Sequence, residues 1–230
     1  MGISELNSKI FEREEATNYY IRNQGHKNRF IAEQILALFP KKVLERFAVA
    51  EFGIGTGTNL MLLSNYVRCV HGYDIAEEAV ANFQKMSDCL GHDRAFARCI
   101  NVCEDFCSPI RYDLVLYGWF AYYVSEIELQ MVKKNLLNNL NAGGYVFVHD
   151  FLVRENRVKP DRHNQKLSVY KRNLRFWIDH FCEFDLIDFR LFQCERYFEY
   201  QKCDNLQTID VELTDNDDLW IFNGLFRHRI

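Results

Sequence analysis

The chain has 230 residues, 48% apolar and 26% charged, and a formal net charge of −4. That length and balance suit a folded domain with its own core and exclude disordered, collagenous and fibrous chains. No apolar run approaches the roughly 20 residues of a membrane span, and the acidic balance argues against a dedicated nucleic-acid binder.

The polar, acidic stretch from Met1 to Glu15 has neither the apolar core of a signal peptide nor the basic character of a transit peptide. Residues 26–46 carry helical apolar spacing (Phe30, Ile31, Ile35, Leu36, Leu38, Phe39) up to Pro40, with a shorter continuation through Leu44. Ala48 to Phe52 is a short apolar strand running into Gly53-Ile54-Gly55-Thr56-Gly57. Thr58 to Tyr66 reads as helix, Arg68 to Tyr73 as a second strand ending at Asp74, and Ala76 to Leu90 as helix. Ala97 to Cys103 is a third strand, and Tyr112 to Tyr117 a fourth, apolar enough to be central. Ser125 opens the next helix, with Glu128 completing an S-x-x-E capping box. That helix stops near Leu140, where Asn141-Ala142-Gly143-Gly144 signals a cap and turn before strand five, Tyr145 to His149.

Strands alternating with helices predict a three-layer α/β fold, a mostly parallel sheet with helices on both faces. After Asp150 comes a polar segment, then an amphipathic helix from about Leu167 to Phe181. Four candidate strands follow: Phe184–Phe192, Arg196–Tyr200, Thr208–Leu213 and Leu219–Phe226. They are read as completing the same sheet with a C-terminal antiparallel strand. The expectation is a single domain, with a helical cap over 1–46, a core over 47–150, a lid over 151–182 and C-terminal strands over 183–230.

Eight cysteines without an export signal predict free thiols and a cytoplasmic location. Cys99, Cys103 and Cys107 recur every fourth residue. Their C-x3-C-x3-C spacing differs from the C-x3-C-x2-C loop that holds iron–sulfur clusters in radical enzymes, so they are read as small hydrophobes.

Chemistry begins at Glu51-Phe52-Gly53-Ile54-Gly55-Thr56-Gly57. Glycines at a strand-to-helix turn let a ligand approach the main chain. Asp74, ending the second strand, stands where a carboxylate accepts hydrogen bonds from ribose hydroxyls. Together they imply a nucleoside cofactor. Thr58 stands where a dinucleotide fingerprint has its third glycine, and no lysine follows to make a P-loop.

The E-x-G-x-G-x-G motif, Asp74, the Tyr112–Leu116 strand and the Leu140–Gly144 stretch before Tyr145-Val146-Phe147-Val148-His149-Asp150 resemble the class I S-adenosylmethionine-dependent methyltransferases, with their Rossmann-like fold. The resemblance spans Phe47 to Asp150 and implies S-adenosylmethionine as cofactor. It assigns Glu51, Gly53, Gly55 and Gly57 to the methionine half, Asp74 to the ribose, and Ile75 to a place beside the adenine. Glu104 and Asp105 become the acidic candidates for the adenine amino group. The wall from Leu116 to Trp119 would face the sulfonium, with Tyr117 either stabilising that charge or packing in the core. Tyr19, Tyr20 and Arg29 belong to a segment that closes such sites, and Arg29 could pair with the cofactor carboxylate.

The sequence lacks the N-P-P-Y or D-P-P-Y tetrapeptide of amino-methylating enzymes acting on bases or glutamine, and the Pro-Cys nucleophile of cytosine C5 chemistry. The carboxylate pattern of metal-dependent catechol enzymes is missing too, so no metal is expected. His149 and Asp150, at the end of strand five, and His163, just beyond, are the candidates for a proton acceptor. Between Arg154 and Arg175 eight Lys or Arg face two acids. Arg154, Arg157, Arg162 and Lys166 therefore suggest a small anionic or sugar-linked acceptor, methylated at oxygen. The alternatives are a methyltransferase acting on RNA or protein, a non-catalytic nucleoside-binding protein, and an NAD-dependent Rossmann protein.

Overall fold

The structure is a computed structural model and describes residues 7–25, 29–195, 199–203 and 220–230. The chain opens with α1 (Asn7–Ile10), a five-residue π turn over Phe11–Glu15, and α2 (Ala16–Asn23), followed by α3 (Phe30–Leu38) and α4 (Lys41–Leu44). The core then alternates β1 (Ala48–Phe52), α5 (Thr58–Leu63), β2 (Cys69–Asp74), α6 (Glu77–Leu90), β3 (Ala95–Cys99), β4 (Tyr112–Gly118), α7 (Glu126–Asn139) and β5 (Leu140–Phe151). Beyond it lie β6 (Arg157–Pro160), β7 (Ser168–Lys171), α8 (Leu174–His180), β8 (Phe184–Glu195), β9 (Glu199–Cys203) and β10 (Trp220–His228).

Among the described residues the main sheet has eight strands in the order β3-β2-β1-β4-β5-β10-β8-β9. The first five run parallel, whereas β10 pairs antiparallel with both β5 and β8. Strands β6 and β7 form a separate antiparallel hairpin. One face of the sheet is covered by α3, α5 and α6 through Ile31, Ile35, Leu60, Leu63 and Phe83. The other is covered by α7 and α8 through Leu129, Val132, Leu136 and Trp177. These are the predicted three layers, with the predicted antiparallel strand near the C-terminus. No helix among the described residues is long and apolar enough to cross a membrane.

The capping box at Ser125 and Glu128 is formed in both directions, so α7 begins where the sequence places it. Boundaries differ at several places, three of which shape the site or its surroundings. Strand β3 ends at Cys99 rather than Cys103, because Asn101 Oδ1 accepts the Cys103 N–H and Asn135 Nδ2 donates to the Val102 and Glu104 carbonyls, tying this stretch into a turn. The helix expected from Leu167 starts at Leu174. The alternating Ser168–Lys171 stretch pairs as β7, and Asn173 caps α8 by accepting the Phe176 N–H at 2.8 Å. The turn expected at Asn141–Gly144 is absorbed into β5, with Gly143 at φ +70° where the register shifts. The candidate strand Thr208–Leu213 lies outside the described residues, as does part of Arg196–Tyr200.

Candidate functional site

At the carboxyl ends of the parallel strands lies a cavity of about 1100 Å³. Its floor is the turn after β1, its rim the ends of β2, β4 and β5, and its roof the N-terminal cap and the β6–β7 hairpin. Open α/β sheets place their ligand sites here, because the loops at that edge diverge and leave a crevice.

The turn is held by its own chemistry. Gly53 and Gly55 adopt φ of +74° and +50°, a region costly for other residues, and nothing lies within 4 Å of where a Gly55 side chain would start. Asp74 locks the turn from β2: Oδ2 accepts the Gly55 N–H at 2.9 Å and Oδ1 the Ala76 N–H at 2.9 Å. Each oxygen keeps a second lone pair for a ligand hydroxyl. Burial pushes the Asp74 carboxyl above its usual range, opposed by those backbone hydrogen bonds.

Glu51 ends β1 inside the cavity wall. Its Oε1 accepts from Asn59 at 3.5 Å, while the buried Oε2 has no hydrogen-bond partner among the described residues. Burial drives its pKa up to about 8. A buried acceptor left without a donor is expensive, and one that faces a cavity fits a donor supplied by a ligand.

The far half of the cavity is aromatic. Trp119 sits at φ +56°, strained for a side-chain-bearing residue, and its backbone N–H donates to the His149 carbonyl at 3.0 Å. Its indole meets the His149 ring edge-on at 4.7 Å and Phe151 at 4.9 Å. Tyr19, Tyr122 and Tyr123 continue the wall. His149 is fully buried, with Nδ1 2.6 Å from Asn223 Oδ1, its register partner on β10. Burial lowers its pKa to about 4, so the ring is neutral at pH 7.

Of the residues singled out from the sequence, Tyr20, Glu51, Gly53, Gly55, Asp74, Ile75, His149 and His163 all line this cavity. Tyr19, Trp119, Cys103 and Arg162 line it too, whereas Gly57, Arg29, Glu104, Asp105, Tyr117 and Asp150 lie outside its wall. Gly57 caps α5 at φ +69°, where a methyl group would start 2.4 Å from Phe83, so this glycine serves close helix packing. Arg29 is exposed at the start of α3, and Arg22, paired with Glu15, faces the cavity instead. Because β3 ends early, Glu104 and Asp105 point outward to Lys9 and Lys134, and Ile100, Asn101, Val102 and Cys103 take the wall position. Tyr117 lies in the core, stacked on Phe52 at 5.5 Å. Asp150 falls on the opposite face of β5 from His149, as strand alternation requires. It is buried there within electrostatic reach of Arg172, and burial raises its pKa to about 7.

The basic segment divides similarly. Arg162 lines the cavity together with Lys159 and Lys171, whereas Lys166 pairs with Glu14 and Arg154 and Arg157 are not part of the wall. Cys103 is half-buried at the wall, and Cys99 and Cys107 are exposed free thiols. Sequence reasoning missed Asn101, Asn59, Asp161 and Asn223. Asp161 had a signal, a carboxylate inside the turn-forming Pro160-Asp161-Arg162 stretch.

No family model matches this chain. A curated relative, phosphoethanolamine N-methyltransferase 3 of Arabidopsis thaliana, is 25% identical over 161 residues, covering 67% of this chain and 31% of the relative. The chain thus matches about a third of that protein's length. Among solved structures, the 1,6-didemethyltoxoflavin-N1-methyltransferase of Burkholderia thailandensis superposes with a TM-score of 0.73 at 11% identity, over 100% of this chain and 92% of its own. The N-methyltransferase NodS of Bradyrhizobium japonicum gives 0.63 at 13% identity, over 97% and 99%. A polyketide O-methyltransferase of Brevibacillus brevis gives 0.63 at 14% identity, over 99% and 80%. The chain thus shares the fold of these methyltransferases, the Rossmann-like α/β fold that its motifs imply.

Proposed function

We propose that this protein binds S-adenosylmethionine and methylates a small acceptor carrying an anionic group, at nitrogen. The observation that carries the cofactor reading is Glu51 Oε2, a buried acceptor without a donor among the described residues, beside the open backbone of Gly55 and across the turn from Asp74. The donor set fits the group. Glu51 would take the ammonium of the methionine half, Gly53 and Gly55 would admit its carboxylate to the main chain, and Asp74 would accept from the ribose hydroxyls. Ile75 and Val102 would flank the adenine, with Asn101 at its polar edge in the place expected of Glu104 or Asp105. The bound cofactor supplies an electrophilic methyl group on sulfur.

On the acceptor side, Trp119, Tyr122 and Phe151 offer flat apolar faces, and Lys159, Arg162 and Lys171 offer positive charge for an anionic substituent. Nitrogen is favoured over the oxygen expected from the sequence. An imidazole with a pKa near 4, as in His149, is a weak base for an alcohol, whereas an amine or ring nitrogen attacks through its own lone pair. Three of the four similar proteins named above are N-methyltransferases, which supports the same choice. His149 then orients the acceptor, and His163 stands at the outer rim. The walled cavity suits a small molecule better than RNA or a folded protein.

The test is incubation with methyl-deuterated S-adenosylmethionine and a metabolite extract, reading products by mass. The expected result is one labelled nitrogen compound with an acidic group. Cofactor binding with no labelled product from any fraction would leave a non-catalytic binding protein, and a labelled ether or ester would restore oxygen as the target.

A further inference from the structure

Residues 119–125 link β4 to α7, and five of them (Trp119, Phe120, Tyr122, Tyr123 and Val124) line the cavity. An irregular segment has no ladder to hold it, so its place is set by whatever grips its backbone groups. The main grip is Arg172. Its Nη1 donates to the Ala121 carbonyl at 2.8 Å and its Nη2 to the Val124 carbonyl, so one planar fork brackets the turn Ala121–Tyr123. Between them, the Tyr123 carbonyl accepts from Asn7 Nδ2 at 2.7 Å.

Arg172 directly follows Lys171, the last residue of β7, and strand alternation sends the two side chains to opposite sides. Lys171 enters the cavity, with its ammonium 4.4 Å from the centre of the Phe151 ring. Arg172 is buried on the other side, its guanidinium carbon 4.9 and 5.9 Å from the ring centres of Phe176 and Trp177 on α8. Its backbone is fixed too: Arg172 bridges Leu152, just past β5, and its carbonyl accepts the Val153 N–H at 3.3 Å. One dipeptide thus holds a cation and an aromatic wall at a set spacing. Stability is a poor reason for an arginine here. Burial works against its charge, and its Nε has no hydrogen-bond partner among the described residues. Apolar replacements of such buried charges are often neutral or stabilising for the fold.

We infer that Arg172 is a positioning residue for the methyl acceptor: it keeps the aromatic wall in register with Lys171, so that the site takes a flat ring bearing an acid group. The inference deepens the methyl-transfer reading and rests on it for the role of that ligand as substrate. A ligand that meets the wall and Lys171 together gains both contacts for one loss of translational freedom, provided the two stand at a fixed spacing. Arg172 itself does not line the cavity, so it acts only through the turn it holds.

The probes are indole-3-carboxylate and indole, the same ring with and without an acid. Each is titrated by NMR into wild type and two variants, and S-adenosylhomocysteine is titrated by calorimetry. Arg172→Lys keeps the charge but, as a point charge, cannot span two carbonyls. Asp150→Asn with Arg172→Met removes both charges buried on that side of β5, so that no buried charge is left alone. Wild type should favour the acid by about tenfold, the worth of one charge-assisted hydrogen bond. Both variants should bind S-adenosylhomocysteine with wild-type affinity, yet favour the acid by only about twofold. The wild-type ratio in either folded variant, or no preference in wild type, would overturn the inference. So would loss of S-adenosylhomocysteine binding together with both probes, which is how a merely structural arginine would behave. If Arg172→Lys fails to fold, the double variant decides; if neither folds, Arg172 is structural and the inference falls. Failure of S-adenosylhomocysteine to bind wild type would reject the methyl-transfer reading instead, with the probe ratio still measured on its own.

Discussion

Glu51→Gln separates the demands of folding from those of the site. In the fold the carboxyl ionises near 8 rather than 4.5, because burial denies its charge water and only Asn59 answers it. At about 1.4 kcal/mol per tenfold, ionising it inside the protein costs about 5 kcal/mol more than in the unfolded chain. The sign follows from proton counting. Between pH 4.5 and 8 the folded state holds a proton that the unfolded state has lost, so this group makes stability fall as pH rises through that window. Glutamine keeps the shape and removes the titration. In ligand-free protein the variant should therefore match wild type near pH 4 and exceed it increasingly up to pH 8, by at most about 5 kcal/mol. S-adenosylhomocysteine should bind the variant about 10- to 100-fold more weakly, since a charge-assisted hydrogen bond is lost. Urea unfolding at several pH values gives the first quantity and titration calorimetry the second. A variant less stable than wild type at pH 8, or one that binds with wild-type affinity, would refute the placement of Glu51 as a buried carboxylate awaiting a cation.

Tyr117→Phe should leave turnover unchanged and raise stability by up to about 1 kcal/mol, because the buried hydroxyl it removes has no partner among the described residues; a large loss of turnover would return Tyr117 to the site. Gly57→Ala should destabilise by about 1–3 kcal/mol in thermal melts, since it combines a φ of +69° with a 2.4 Å contact to Phe83. Replacing Lys159 and Arg162 together should raise the acceptor KM at least tenfold and leave cofactor affinity intact, whereas Arg154→Ala with Arg157→Ala should alter neither by much.

What could be read from the sequence was whatever is written in local pattern. The glycine turn, the acid ending β2, the capping box at Ser125 and the apolar strands β1, β2 and β4 depend on near neighbours, and each is found where its residues predicted it. The misplacements are tertiary. Glu104 and Asp105 looked inward while β3 was taken to run to Cys103, but Asn135, on α7, ends the strand early and turns both acids to solvent. Tyr117 and Gly118 are adjacent, yet strand alternation sends the tyrosine into the core while the glycine lets Glu51 approach, a Cβ there standing 3.1 Å from Glu51 Oε1. Asn223 reaches His149 across 74 residues only because β10 inserts beside β5, a pairing that no local signal encodes. Likewise the basic run after β5 forms a hairpin, and its register decides which cations reach the cavity.

The central claim is that the cavity at the ends of β1 and β2 is a site for S-adenosylmethionine, and its most direct test is calorimetric titration of wild type and Asp74→Ala with S-adenosylhomocysteine and NAD. Asp74 offers both oxygens to ribose, so the account predicts one S-adenosylhomocysteine per chain, binding weakened at least tenfold in Asp74→Ala, and no comparable affinity for NAD. Equal binding of NAD, or unchanged affinity in Asp74→Ala, would contradict it.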